Sequence, residues 1–226
     1  MRPAAPQPTA SPGSAAPTRP PPNHSPRKEP YDERHPHPER GPSDLSRLHA
    51  RLVTAADRDG LLDLAYRSVD TPVGRLLLVA TDVGLVRVAY PREDHDVVLA
   101  MLARQVSPRI LEAPGRLDAA ARQLDEYFAH RRTRFDVPLD LRLSSGFRRT
   151  VLTRLPDIAY GRTASYAQVA EAAGSPRAVR AVGSACATNP LPLFVPCHRV
   201  VRSDGSMGQY AGGVDTKRAL LTLEAA

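Results

Sequence analysis

Apolar and polar positions change rhythm several times along the 226 residues. In "LSRLHARLVTAAD" (45–57), Leu45, Leu48 and Leu52 fall at helical spacing, with Ser43 or Asp44 placed to cap a short helix. Leu64–Val69 alternates, Leu76–Ala80 is a continuous apolar run, and Leu85–Tyr90 follows after the turn-forming stretch "TDVG". With "DTPVG" between the first two, this predicts a three-stranded β-meander. Asp94–Gln105 and Leu117–His130 carry apolar residues at i, i+3 and i+4 and predict two helices over that sheet. "RFDVPLDLRL" (134–143) alternates again and predicts an extended segment. Residues 60–143 thus read as a small α+β domain, with 45–59 as a possible linking helix.

From residue 144 the character shifts to helices and loops. "SGFRRTVLTRL" places Phe147, Val151 and Leu155 on one helical face. "SYAQVAEAAG" predicts a second helix, ended by Gly174, and "SPRAVRAVGSACA" a third, with Pro176 in its first turn. A helix, a glycine-containing turn and a helix match a helix-turn-helix, although an ordinary helical hairpin gives the same pattern. "VDTKRALLTLEAA" predicts a closing helix. Residues 144–226 form the second predicted domain.

Composition divides the chain once more. Residues 1–44 hold thirteen of the 23 prolines and no Leu, Ile, Val or Phe, so they are predicted to stay disordered. His24, His35 and His37 lie there, without a cysteine to complete a metal set. The net charge of +7 therefore belongs mostly to the remainder; residues 145–226 carry ten Arg/Lys against five Asp/Glu. That bias suits a polyanionic partner and also an ordinary basic surface. The two cysteines make neither a disulfide framework nor a zinc pair, and a reducing, cytoplasmic compartment is the simplest setting. No apolar run is long enough to span a membrane, and the N-terminus lacks a secretory apolar core.

The chemistry concentrates in "LPLFVPCHRVVR" (191–202). A free thiol is little ionised at neutral pH, so a nucleophilic cysteine needs a base. His198 adjoins Cys197 as that base, and Arg199 is placed to favour the thiolate. Adjacency alone does not make contact, so a turn or a water bridge must intervene. Pro190, Pro192 and Pro196 exclude helix and stiffen the approach, and Asn189 is suited to brace a turn. Downstream, "SDGSMGQYAGG" allows close backbone approach to a ligand. In the closing helix Glu224 is the only carboxylate beyond Asp215. A nucleophile is the favoured reading of Cys197; a structural thiol and a redox sensor stay open. Cys186, in "GSACA", reads as a packed, inert thiol.

Taken together, "YGRTASY", "RAVRAVGSA", "NPLPLFVPCHRVV", "GQYAGG" and "KRALLTLE" resemble, in order and spacing, the O6-alkylguanine-DNA alkyltransferases, also called methylated-DNA–protein-cysteine methyltransferases. The resemblance runs through residues 146–224, with 60–140 fitting the less distinctive N-terminal domain. It implies an α+β chain: a small ribonuclease-H-like α/β domain, then a mainly helical, winged-helix-like domain containing a helix-turn-helix. It implies a monomer without cofactor or metal that flips an alkylated guanine from double-stranded DNA, approached through the minor groove. The alkyl group then passes irreversibly to the protein's own cysteine; O4-alkylthymine is a second possible substrate.

By the same resemblance Cys197 is the acceptor, His198 deprotonates it through a water, and Glu224 orients that histidine. Tyr166 donates to the departing guanine and Asn189 braces the turn. Arg180 enters the base stack from a recognition helix kept slim by Ala181, Gly183 and Ser184. Tyr210, Ala211 and Gly212 wall the base pocket, where the carbonyls of Cys197 and Val200 read the exocyclic amine. The chain departs from the family at Ala211, where serine is common, at Leu152 for tryptophan and at Arg148 for glutamine. It lacks the four-cysteine zinc module of the regulatory relatives. Two other classes compete: a lesion binder, which would lack the acceptor cysteine, and a dimeric transcription regulator, for which no dimerisation element is visible.

Overall fold

The computed structural model describes residues 43–225. The expectations for the proline-rich tail and its histidines therefore fall, apart from Ser43 and Asp44, outside the described residues. The first helix, α1 (Asp44–Arg58), starts where the Ser43 hydroxyl accepts from the Ser46 amide at 3.2 Å. Strands β1 (Leu64–Val69), β2 (Leu76–Ala80) and β3 (Leu85–Ala89) form the antiparallel meander that the pattern predicts.

The sheet has a fourth strand that the pattern did not reveal. β4 (Ile110–Glu112) pairs in parallel with β1, giving the order β3-β2-β1-β4. Three residues are too few to show a period of two, and this strand exists through its partner rather than its own pattern. The crossover that parallel pairing demands is α2 (His95–Gln105), capped by Asp94. The second helix over the sheet, α3 (Asp118–Phe128), follows a 3₁₀ turn at Pro114–Leu117.

β2 is buried on both faces, which explains its unbroken apolar run. Leu77 and Val79 pack with Val98 and Leu102 of α2. Leu76 and Leu78 join a larger core with Leu117, Leu124 and Tyr127, and that core continues into Val151, Leu155, Val182, Leu191 and Leu220. The sheet domain and the helical domain thus share one apolar interior. The 134–143 segment runs extended beside β3: Leu85 donates to Pro138 O at 2.9 Å and Asp140 donates to Leu85 O at 2.8 Å. It pairs by a single bridge, Leu85 to Leu139. Pro138 has no amide to extend the ladder, and the Asp140 carboxylate accepts from Thr81.

The helical domain holds α4 (Gly146–Arg154), α5 (Tyr166–Ala172), α6 (Val179–Ala187) and α7 (Val214–Glu224). Ser165 and Gln168 form a capping box on α5, and Gly174, at φ +74°, turns the chain after it. Pro176 is not in the first turn of α6, contrary to expectation. It sits one turn earlier, inside the loop that Ala178 N closes onto Ser175 O at 2.8 Å, a position that suits its fixed φ. Two short strands, β5 (Ala164–Ser165) and β6 (Val200–Val201), pair in parallel and were also not anticipated. No described helix is long and apolar enough to cross a membrane.

Gly84 adopts φ +155°, and a Cβ there would lie 2.4 Å from Pro138 O. A Gly84→Ala change must push the 134–143 segment off β3. It is expected to cost about 1–3 kcal/mol and to lower Tm by roughly 2–4 °C for each of them. Thermal unfolding with an unchanged midpoint would contradict this packing.

Candidate active site

Cys197, His198 and Arg199 form one 3₁₀ turn following Pro196, and all three are buried. This is the turn that adjacency alone did not guarantee. It sends the Cys197 side chain to Asn189 and those of His198 and Arg199 to Glu224. The preceding loop is held by Asn189. Its Oδ1 accepts from Leu191 N at 3.0 Å, and its Nδ2 donates to Val195 O at 2.9 Å and to Cys197 Sγ at 3.1 Å. Asn189 thus connects the loop's backbone to the thiol itself. Within the loop Leu193 is held at φ +74°, a strained conformation for a residue with a Cβ.

His198 Nε2 lies 2.8 Å from Glu224 Oε1. An ionised carboxylate only accepts, so Nε2 carries the proton, and Nδ1 has no hydrogen-bond partner among the described residues. Glu224 ends α7 and is the centre of the cluster. Arg199 donates to it twice, at 2.8 and 2.9 Å, Tyr127 Oη donates at 2.7 Å, and Gly161 N at 3.3 Å. Arg199 was expected beside the thiolate; instead its guanidinium is taken up by Glu224 and by Ile158 O at 2.7 Å. A buried carboxylate without a cation would be too costly, and Arg199 supplies that cation.

The protonation states follow. Burial alone would raise the Glu224 carboxyl, but the hydrogen bonds from His198, Arg199 and Tyr127 outweigh it and hold it at about 2. Burial lowers His198 below its ordinary value, with Glu224 opposing, so the imidazole rests neutral. Burial pushes the Cys197 thiol up to about 11 in spite of the Asn189 hydrogen bond. The thiol therefore rests protonated and needs a base.

The other predicted residues divide into two groups. Tyr210 is buried, with its ring 6.3 Å from that of His198. Tyr166 is half-buried, and its hydroxyl fills the space left by Gly208, where a Cβ would lie 2.1 Å away. Burial, then the nearby Cys186 and Cys197, raise its pKa and keep the phenol a donor. Ala211 lines a cavity of about 430 Å³ with Asn189 and Pro190, and Gly212 is half-buried next to it. The Val200 carbonyl already accepts from Lys217 Nζ at 2.5 Å, so one lone pair is left for any other partner. Arg180, Ala181 and Ser184 are exposed on α6 with Gly183 half-buried between them, apart from the thiol cluster. Leu152 is fully buried in the core and Arg148 bonds the Leu143 carbonyl, so both are packing positions. Cys186 is buried in α6, as expected.

Sequence reasoning missed Tyr127 and Lys217. Tyr127 lies in a helix whose pattern marks it only as apolar. Lys217 carried a signal: with Leu220 and Glu224 it makes i, i+3, i+7, which puts a lysine on the buried stripe of α7. What this arrangement can do chemically is nucleophilic transfer to a single buried cysteine assisted by a carboxylate-held histidine.

Comparisons with known proteins show the family. Residues 146–226 match the DNA binding domain of 6-O-methylguanine DNA methyltransferase, and residues 64–141 match its ribonuclease-like domain. The chain is 41% identical over 164 residues to the methylated-DNA–protein-cysteine methyltransferase of Mycolicibacterium paratuberculosis, covering 71% of this chain and 92% of that protein. It is 38% identical to the bifunctional transcriptional activator/DNA repair enzyme Ada of Escherichia coli, over 73% of this chain and 46% of Ada. The crystal structure of Mycobacterium tuberculosis OGT in complex with DNA superposes with a TM-score of 0.63 at 38% identity, covering 71% of this chain and 92% of that one. The chain belongs to the 6-O-methylguanine DNA methyltransferase family.

Glu224 makes stability depend on acid. Its carboxyl titrates at about 2 when folded, against an ordinary 4.5. Across that interval the unfolded chain takes up a proton that the folded chain refuses. The stabilisation is therefore complete above the upper value and is lost as pH falls toward the lower. Denaturation followed across this window should show that slope in the wild type and not in Glu224→Gln. The variant should also lose about 3–5 kcal/mol, because Arg199 stays buried without its carboxylate. Equal stability of the two proteins above the window would count against the cluster.

Proposed function

We propose that this chain repairs double-stranded DNA by direct reversal, taking the alkyl group of O6-alkylguanine onto Cys197 once per molecule. The observation that carries the reading is the thiol held by Asn189 in the same turn as a histidine locked to Glu224. In this reading His198 Nδ1, the nitrogen not engaged by Glu224, receives the thiol proton through one water. The thiolate sulfur then attacks the alkyl carbon; the S–C bond forms as the C–O6 bond breaks. Tyr166 donates to the departing guanine, and the thiol proton replenishes it, so the products are guanine and S-alkylcysteine. S-alkylcysteine could give up its alkyl group only by expelling a thiolate from an unactivated carbon, which makes the transfer a single event. O4-alkylthymine presents the same ether chemistry.

The DNA-facing side is assigned to residues 144–226, with 60–143 as the supporting domain. α5 and α6 serve as a helix-turn-helix in a winged-helix-like domain. α6 is suited to the shallow minor groove because, past the exposed Val179 at its start, its outer face carries Arg180 and the small residues Ala181, Gly183 and Ser184. A Cβ at Gly183 would meet nothing within 4 Å among the described residues, so its small size serves no packing there. Arg180 takes the place vacated by the flipped base, since unstacking must be offset. Tyr210, Ala211 and Gly212 wall the pocket. The protein acts as a monomer, and its two free, buried thiols fit the reducing cytoplasm. A lesion-binding role without transfer is disfavoured by the presence of Cys197 with His198 and Glu224.

The test is intact-protein mass after incubation with a duplex containing O6-methylguanine, followed by peptide mapping. One methyl per protein, located on Cys197, is expected. Cys197→Ser should gain nothing yet still shift the duplex in a gel. Arg180→Ala should transfer more slowly than the wild type from duplex DNA, and an unchanged duplex rate would count against its role. Methylation elsewhere, or transfer by Cys197→Ser, would overturn the assignment.

A further inference from the structure

The loop that carries Tyr210 has its far side against the sheet domain. Tyr90, just past β3, is 1% exposed, and its hydroxyl lies 2.8 Å from that of Tyr210. The two rings meet edge to face, with centroids 5.7 Å apart at 64°. Tyr210 thus sits between Tyr90 and the His198 ring. The fit is close: a Cβ at Gly212 would lie 2.9 Å from the Tyr90 ring, and one at Gly213 would lie 2.8 Å from the Arg92 guanidinium. Tyr90 is itself anchored. Its amide donates to Glu93 Oε1 at 3.0 Å, and Glu93 pairs with Arg87. The same strand end also holds the opposite side of the site. Val88 N donates to Pro190 O at 2.8 Å and Arg87 at 3.3 Å, immediately after the asparagine that bonds the thiol.

We propose that Tyr90 is a positioning residue for alkyl transfer: its hydroxyl holds Tyr210, and with it one wall of the pocket, and so sets the size of O6 substituent that the site accepts. The proposal rests on Cys197 as acceptor and Tyr210 as pocket wall. Both phenols are buried, so removing one hydroxyl leaves the other unpaired and the Tyr210 ring free to shift. A shifted wall costs a small substituent its attack geometry and gives a large one more room.

The experiment is single-turnover transfer by the full chain from duplexes containing O6-methylguanine or O6-benzylguanine. Wild type, Tyr90→Phe, Tyr210→Phe and the double variant are compared. Tyr90→Phe keeps the ring and should slow methyl transfer roughly three- to tenfold, the worth of one buried hydrogen bond, while slowing benzyl transfer less. The benzyl-to-methyl ratio therefore rises. In the Tyr210→Phe background the second change should leave the ratio where it is. A merely structural role would lower both rates by one factor through the folded fraction and leave the ratio unmoved. An unmoved ratio, or an equal change in both backgrounds, overturns the role of Tyr90 while the acceptor assignment stands. A wild type that transfers neither group refutes the acceptor assignment and the proposal with it.

Discussion

One buried carboxylate holds the site together. Glu224, the last residue of the last helix, accepts hydrogen bonds from Tyr127 of the sheet domain, from His198 and Arg199 of the cysteine turn, and from Gly161 before β5. Three separate stretches of chain therefore converge on two oxygens of a fourth. An ionised carboxylate is tolerated in such a place only when a cation and several donors replace its lost water, and Arg199 with the other three supplies both. The arrangement closes the fold onto the sheet domain and locks the imidazole in one tautomer. Structural and chemical roles are not separable at this residue.

The same burial explains the reserve of the thiol. A cysteine pushed up to about 11 is inert toward stray electrophiles and oxidants, because the thiolate is the reactive form. In the proposed reaction, activation is left to His198, which burial keeps neutral and Glu224 holds by a hydrogen bond. Lys217, also buried and lowered by burial, caps the Val200 carbonyl directly beyond the cysteine turn. A protein that spends its nucleophile once gains from keeping it quiet until a substrate fills the site.

Legibility in the sequence followed the length of each pattern. β1, β2, β3 and the helices repeat their apolar rhythm often enough to be read. β4, β5 and β6 are two or three residues long and are defined by the strand opposite. The Cys197–His198 pair was legible from chemistry, and the longer set of residues only through the family resemblance. Arg199 was misassigned because adjacency says nothing of direction: a 3₁₀ turn sends it to Glu224 and not to the thiol. Tyr127 and Tyr90 fell within the predicted helix and strand without being singled out; both lie in the core, and their hydroxyls meet partners 97 and 120 residues away. Such contacts have no local signature.

The central claim is that Glu224 holds His198 neutral, with its proton on Nε2 and the Nδ1 lone pair available as the base. Nitrogen-15 NMR of the protein labelled in its histidines, with His198 assigned by substitution, tests this directly. The account predicts a protonated Nε2 and an unprotonated Nδ1 at neutral pH, persisting below the ordinary histidine value of 6.5. An imidazolium at neutral pH, or a proton on Nδ1, would contradict it.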